Sequence, residues 1–368
     1  MVQFLPFRHA VSPDEKGRNG SPRPSPKVDQ RQYGKVRDYL SGQLTRQVVV
    51  REPRKDRLGE DGHDVLGEDG YCVLGAPSTG MFAWAGLGYH PDLADKRDRD
   101  AMKQNGREKS LLDWLDQAAE KEGKEANGRY NIGDEGKAPL PPVEDQGPLQ
   151  SCTANAVISI VEYLVRRYTG DVEDFSRMFL YKAARRLLGW SGDSGAYIRT
   201  TIKALRLFGV PPETSWPYDA GLLDQEPGAY QYSYAQNYKT LHYARLDTFG
   251  LGANDLIKNL KIVLRHNFPV AFGFPVYDNI NDLQDWVIPV PTDANNLVGG
   301  HAVAAVGYDL HAGAGGSLII RNSWGLTWGD LGYAYLPFEY IRQGLAMDFW
   351  TVYDDEWLDT KPFDSPKK

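Results

Sequence analysis

Only two of the 368 residues are cysteines, Cys72 and Cys152. They are too few for a disulfide framework and too far apart for a CxxC zinc or redox pair. No run of 18 apolar residues occurs, which excludes a membrane-spanning helix. The opening MVQFLPFRHAVSPDEKG interrupts its one apolar stretch with Pro, Arg and His, so it does not read as a secretory signal. With so little cysteine, a cytoplasmic location is expected. What is present, 41% hydrophobic and 25% charged residues, is the composition of a soluble globular chain large enough for one two-lobed core or two ordinary domains.

The net charge of −7 conceals an asymmetry. Residues 1–57 carry 13 basic against 6 acidic side chains, so a basic arm precedes an acidic body. No aromatic-interleaved basic stretch or nucleic-acid reader motif accompanies it, so neither nucleic acid nor membrane is the expected partner. Gly, Pro and Ser mark residues 1–30 as a flexible leader. A short helix and a strand at Val48–Val50 are predicted after it, then two turns at the repeated LGEDG of 58–62 and 66–70, with Cys72 in a strand-like YCVLG. The Gly-rich passage that follows reads as a linker, and SLLDWLDQAAEKEGKE (110–125) as a helix.

Pro139, Pro141 and Pro142 end any helix before them. TANAVISIVEYLVRRY then sets Ala156, Val157, Ile160, Val161, Leu164 and Tyr168 on one face, with no Pro or Gly inside, and is the clearest helix in the chain. SRMFLYKAARRLLG and YIRTTIKALRLFG follow as helices. After them β-type runs dominate, from FPVAFGFPVY through GHAVAAVGYD, SLIIRNSWG and GYAYLPF to DFWTVYD. Helices first and strands later predict two lobes of different class, an α+β architecture.

Cys152 falls where the Pro-rich segment meets the clearest helix. A helix N-terminus presents unpaired N–H groups and about half a positive charge, which favours thiolate. A nucleophilic thiol also needs a base and a group to orient that base. Of seven histidines, His301 has the fitting context: it follows Gly299 and Gly300 and begins an apolar, buried strand. Asn322, at the end of SLII, offers an amide oxygen to the far ring N–H of such a histidine, and Trp324 can shield that bond from water.

These blocks carry a resemblance. QGPLQSC, GHAVAAVGYD and NSWGLTWGDLGY resemble the three active-site blocks of the papain family of cysteine peptidases, in the order Cys, His, Asn. SCTANA resembles the bacterial, xylellain-like branch, as do GYHPDLADKRD (88–98) and GDSGAYIRTTIKALRLFGVPPETSWPYD. The resemblance covers roughly Gly86 to Tyr353 and implies a two-lobed fold with a helical lobe over about 145–225, a β-barrel-like lobe over about 226–355 and a cleft between them. It makes 86–355 the catalytic domain, 356–368 a tail and 1–85 an N-terminal extension, the family's usual place for a pro-segment. It assigns Cys152 as nucleophile, His301 as its imidazole partner, Asn322 as orienter, Gln146 as side-chain donor of an oxyanion hole and Trp324 as shield. Gly192, Asp193, Ser194 and Gly195 match a wall that pairs with extended substrate, and Gly300 borders the same cleft.

Gln150 stands where the family pattern has Gly, so its side chain is expected to alter the site. Leu149 replaces a disulfide-bonded Cys of plant and animal members. GDSG at 192–195 also matches the string around a chymotrypsin-like serine nucleophile, but that reading lacks its His block and β-barrel context. The function expected is a cysteine endopeptidase with no metal or cofactor, acting on protein or peptide and held inactive by its own N-terminal segment. A peptide ligase on the same acyl-enzyme, or a catalytically silent binding protein, are the rival readings.

Overall fold

The computed structural model describes residues 87–92, 128–135, 138–237 and 242–353. The chain divides into units at Met1–Ser78 and Thr79–Lys368. The first lies wholly outside the described residues, and with it the leader, the arm, the LGEDG turns and Cys72. The 110–125 helix and the 356–368 tail also lie outside them.

The elements follow as β1 (Arg129–Asn131), α1 (Ile132–Glu135), α2 (Cys152–Thr169), α3 (Arg177–Leu188), α4 (Ile198–Phe208), α5 (Ala229–Ala235), β2 (His242–Arg245), α6 (Ala253–Arg265), β3 (Val270–Tyr277), β4 (Leu297–Asp309), β5 (Ser317–Arg321), β6 (Tyr333–Pro337), α7 (Glu339–Arg342) and β7 (Met347–Tyr353). The α+β class is as expected. The strands form one antiparallel sheet in the order β2-β7-β3-β4-β5-β6, with β1 pairing the far end of β4.

Helix α2 departs from the one-faced pattern read in its sequence. Every residue from Cys152 to Val165 is buried, because α2 packs on α3 and α4 on one side and on β3, β4 and β7 on another. A helix surrounded on all sides must be apolar or hydrogen-bonded on all sides. Ala, Val, Ile and Leu make up just over half of its first four turns, and the buried Asn155, Ser159 and Glu162 bond to Ser151, Ala156 and Phe175. Gly170, at φ +80°, ends it, and Arg166 and Arg167 complement the carbonyl end. Helix α3 is capped by Ser176, whose Oγ accepts from Phe179 N at 3.0 Å.

Helix α6 was not anticipated among the β-type runs. Its apolar side chains Leu256, Ile257, Leu260, Val263 and Leu264 are buried, and it packs against β1, β3, β4 and α7. Their 3.6-residue spacing is present in the sequence, between the Gly-containing turn of 249–252 and the β-type run that starts at Phe268.

Strand β4 is the longest, at 13 residues, and it carries His301 opposite Phe274 of β3. On its other side Ala304 faces Arg321 of β5. Asn322, one residue past β5, is thereby brought beside His301. No described helix is long and apolar enough to cross a membrane.

Candidate active site

Cys152 is the first residue of α2, so its thiol lies over the N–H groups that no earlier carbonyl can accept from. The backbone N–H groups of Cys152, Thr153 and Ala302 all bond the sulfur and favour its anion. Ala302 follows His301, so the same contact fixes the thiol against β4. Ser151, just before it, is held by Tyr218 Oη at 2.5 Å and Asn155 Nδ2 at 3.0 Å. Cys152 is a free cysteine and wholly buried.

The protonation of His301 follows from hydrogen-bond logic. Ser323 N donates to Asn322 Oδ1 at 2.8 Å, and a backbone N–H can only meet an acceptor there. His301 Nε2 lies 2.7 Å from that same oxygen, so Nε2 carries the hydrogen and donates. The neutral ring then keeps its lone pair on Nδ1, which is buried and makes no hydrogen bond. Nδ1 is the atom left to take a proton from a thiol.

Burial pushes the Cys152 thiol up to about 12 and His301 down to about 4, with the Asn322 bond pulling His301 partly back. Each shift is the penalty for creating one isolated charge in a dry site. Moving one proton from Sγ to Nδ1 creates two opposite charges side by side, and the N-terminus of α2 favours the anion. The one-proton pair therefore persists over the whole interval between the two values.

Trp324 stacks on the imidazole at 4.5 Å between centroids and 26° between planes, and Phe274 meets it edge-on at 6.0 Å. These rings keep water from the Nε2–Oδ1 bond. Gln146 is anchored through its other end: its Oε1 accepts from Ser323 Oγ at 2.7 Å and its backbone N donates to Ser323 O at 2.8 Å. One hydrogen of Nε2 is given to Leu149 O at 2.7 Å, leaving the second for a ligand.

The remaining sequence-predicted residues fall into a different arrangement. Gln150 does not project freely beside the thiol. Its Nε2 donates to Asp193 O at 2.8 Å and its N to the Asp193 carboxylate at 2.9 and 3.1 Å. Asp193 also accepts from Tyr181 Oη at 2.7 Å, so Gln150 and Asp193 brace each other instead of facing the cleft. Gly192 turns to Asp224, which its N–H reaches at 3.0 Å, and its carbonyl accepts from Arg185. Backbone pairing falls instead on Ala196, which sequence reasoning missed. Ala196 N donates to Gly88 O at 2.9 Å, and His90 N to Ala196 O at 3.2 Å. Ser194 contributes its carbonyl, 2.8 Å from His90 Nε2. Gly195 lies against Gly88, with no room for a Cβ between them.

Residues 87–90 thus cross the cleft. Gly88 packs on the Gln150 carbonyl so closely that a side chain there would collide with it, and Tyr89 N donates to Gly300 O at 3.1 Å, next to His301. Leu87 borders a cavity of about 510 Å³ with Tyr277, Ile280, Trp324 and Trp328. Ser323 and Tyr89 also escaped the sequence reading, since Ser323 meets Gln146 across 177 residues and no local pattern signals such a bond. Among the described residues no three His, Cys, Asp or Glu side chains gather as metal ligands.

Known proteins resemble this chain in sequence and fold. The family described as papain family cysteine protease matches residues 128–348. An uncharacterized peptidase C1-like protein of Acanthamoeba polyphaga mimivirus is 35% identical over 215 residues, 56% of this chain and 68% of its own. The crystal structure of xylellain, a cysteine protease from Xylella fastidiosa, superimposes with a TM-score of 0.57 at 32% identity, covering 73% of this chain and 96% of that one. Digestive procathepsin L 3 of the Tenebrio molitor larval midgut shares the fold, with a TM-score of 0.50 at 19% identity over 63% of this chain and 71% of that one. The chain belongs to the papain family of cysteine proteases and is a hydrolase of the peptidase class.

Proposed function

We propose that this peptidase is an endopeptidase working through a Cys152 acyl-enzyme, and that residues 87–90 hold the full-length chain inactive. The observation that carries the first part is the Asn322 oxygen: by accepting from both Ser323 N and His301 Nε2, it leaves Nδ1 as the base. Nδ1 takes the Cys152 proton, and Sγ adds to the peptide carbonyl. The resulting oxyanion accepts from the Cys152 N–H and the second Gln146 Nε2 hydrogen. Collapse breaks the C–N bond, with the Nδ1 proton passing to the departing amine. Water then gives a proton to Nδ1, attacks the thioester and releases the acid, and the thiolate recovers its proton.

The second part is supported by the backbone bonds of Gly88, Tyr89 and His90 to Ala196 and Gly300, and by the complete burial of Cys152 and His301. A substrate cannot occupy the same hydrogen-bonding groups at the same time. The covering residues lie beyond the 85-residue extension expected from the sequence, so release requires a cut or displacement after His90.

Incubating wild type and Cys152→Ala at several pH values, with N-termini mapped by mass spectrometry, tests both parts. Self-cleavage beyond residue 90 in wild type alone, with a rise in peptidase activity, is the expected result. Full activity and full epoxide labelling of Cys152 in the uncut chain would overturn the inhibition. Absence of labelling and cleavage after displacement would leave a binding protein, and transfer of the acyl group to an added amine in place of water would mark a ligase.

A further inference from the structure

The Cys152 N–H and the Gln146 amide belong to segments that meet through a third. Tyr218 lies in the segment that follows α4, and its hydroxyl stands between Gln146 O, at 2.9 Å, and Ser151 Oγ, at 2.5 Å. The direction of these bonds is fixed. A carbonyl only accepts, so the phenol hydrogen goes to Gln146 O. Ser151 Oγ then donates to Tyr218 Oη and accepts from Asn155 Nδ2 at 3.0 Å. The result is one directed chain from Asn155 through Ser151 and Tyr218 to Gln146, in which each bond polarises the next. Burial raises the phenol above its ordinary value, so the hydroxyl keeps the hydrogen that it donates.

Both sides of the phenol lead to a donor. On one side, the peptide that follows Ser151 bears the Cys152 N–H. On the other, Gln146 O is held only weakly from within its own loop: Leu149 N reaches it at 3.4 Å, and Gly147 follows with a left-handed backbone, φ +55°, and open space about it. The rest of Tyr218 is clamped separately. The Arg177 guanidinium lies over its ring at 4.3 Å and is held by Glu144 at 2.7 Å. Glu213 accepts from Tyr218 N and stands 3.5 Å from Arg177. Ring and backbone are thus fixed without the hydroxyl, so removal of that oxygen alone leaves them in place.

We propose that Tyr218 is a positioning residue for the peptidase reaction, setting the Cys152 N–H and the Gln146 amide at the separation that one oxyanion requires. The inference rests on the acyl-enzyme reading above and adds the side chain that assembles its oxyanion hole. The bonds of Tyr218 go to the residues that carry the donors, not to the thiol or the imidazole. Its effect reaches the chemistry through those donors, where a displacement of about 1 Å costs up to about 10²-fold in rate.

The test uses the full-length chain carrying Tyr89→Ala, which removes the side chain that seats the covering segment. Covering that remains lowers every affinity by the same factor and leaves the ratios intact. To this chain are added Tyr218→Phe, Gln146→Ala or both. With the p-nitrophenyl ester of N-acetylglycine, a substrate that needs no side-chain pocket, Tyr218→Phe is expected to lower kcat/KM about tenfold. The double variant is expected to lose less than the product of the two single losses, because Tyr218 acts partly through Gln146. The nitrile of N-acetylglycine adds Sγ to its carbon and takes the thiol proton on its nitrogen, which then lies at the oxyanion position, so its binding weakens about tenfold in Tyr218→Phe as well. Iodoacetamide, from which Sγ displaces iodide without forming an oxyanion, is expected to alkylate the chains with and without the hydroxyl at rates within about twofold. A parallel loss in alkylation, or full multiplication of the two hydrolytic losses, overturns the proposal, since a packing defect produces either. If the peptidase reading alone fails, no chain hydrolyses the ester while the nitrile still binds Tyr218→Phe more weakly. Equal nitrile affinity with and without the Tyr218 hydroxyl overturns the positioning role whatever the hydrolysis shows.

Discussion

His301 and Asn322 are joined by a 2.7 Å bond from Nε2 to Oδ1, and that bond both sets the tautomer and offsets part of the drop in imidazole pKa caused by burial. Asn322→Ala removes both effects. Protonation of both ring nitrogens leaves no base, so kcat/KM of wild type is expected to fall on an acid limb that lies above about pH 4, because displacing residues 87–90 relieves part of the burial that lowers His301. In Asn322→Ala the acid limb moves to lower pH, because the contact that raises the pKa is gone, and the plateau drops roughly 10²-fold as the ring loses its orientation. A pH–rate profile of the activated enzyme reads both, and an unmoved limb refutes the assignment.

Gln146 is expected to matter to the transition state more than to substrate binding. Gln146→Ala removes one oxyanion donor, so kcat falls by about 10²- to 10³-fold, equivalent to about 3 kcal/mol, with KM little changed. Steady-state kinetics separate the two parameters, and a loss appearing wholly in KM contradicts the role.

Ser323 is a positioning residue that orients two others, through its Oγ to Gln146 and its N–H to Asn322. Ser323→Ala breaks only the first contact and frees the Gln146 amide to rotate. About a tenfold loss in kcat is expected, with Thr restoring much of it because it keeps the hydroxyl. A loss that Thr does not rescue points to packing instead.

Glu162 lies inside α2, accepting from Phe175 N at 2.9 Å, and burial raises its carboxyl to about 8. Its folded value exceeds its unfolded one, so the favourable contribution is complete below about pH 4.5 and is lost as pH rises toward 8. Glu162→Gln keeps an acceptor for Phe175 and removes the titration. The variant is expected to gain a few degrees in Tm over wild type at pH 8.5 and little at pH 4.5. Thermal melts at the two pH values decide, and a constant difference excludes this account.

Much of the site was legible in the chain because its chemistry demands local context. A thiol at a helix start, a histidine after two glycines and an asparagine at a strand end each mark themselves within a few residues. The three helices of 152–208 and the five strands of 270–353 carry their periodicity in short windows. Helix α6 carries its own spacing at Leu256, Ile257, Leu260, Val263 and Leu264, and is masked only by the β-type run that follows it.

The remainder was decided by tertiary structure, because it depends on which distant segments meet. Nothing near Gln150 announces that its amide is consumed by Asp193, and the Gly192 stretch does not say that pairing falls on Ala196. Tyr89 reads as one aromatic in a Gly-rich passage until Gly273, far along the chain, gives its ring a place. Sequence by itself pointed to the candidate reacting groups, Cys152, His301 and Asn322, and to the helix and strands that carry them, since those follow from local propensity and side-chain chemistry. Only the folded chain decided their protonation, their burial and the covering of the cleft, since a hydrogen bond or a desolvation penalty belongs to neighbours in space.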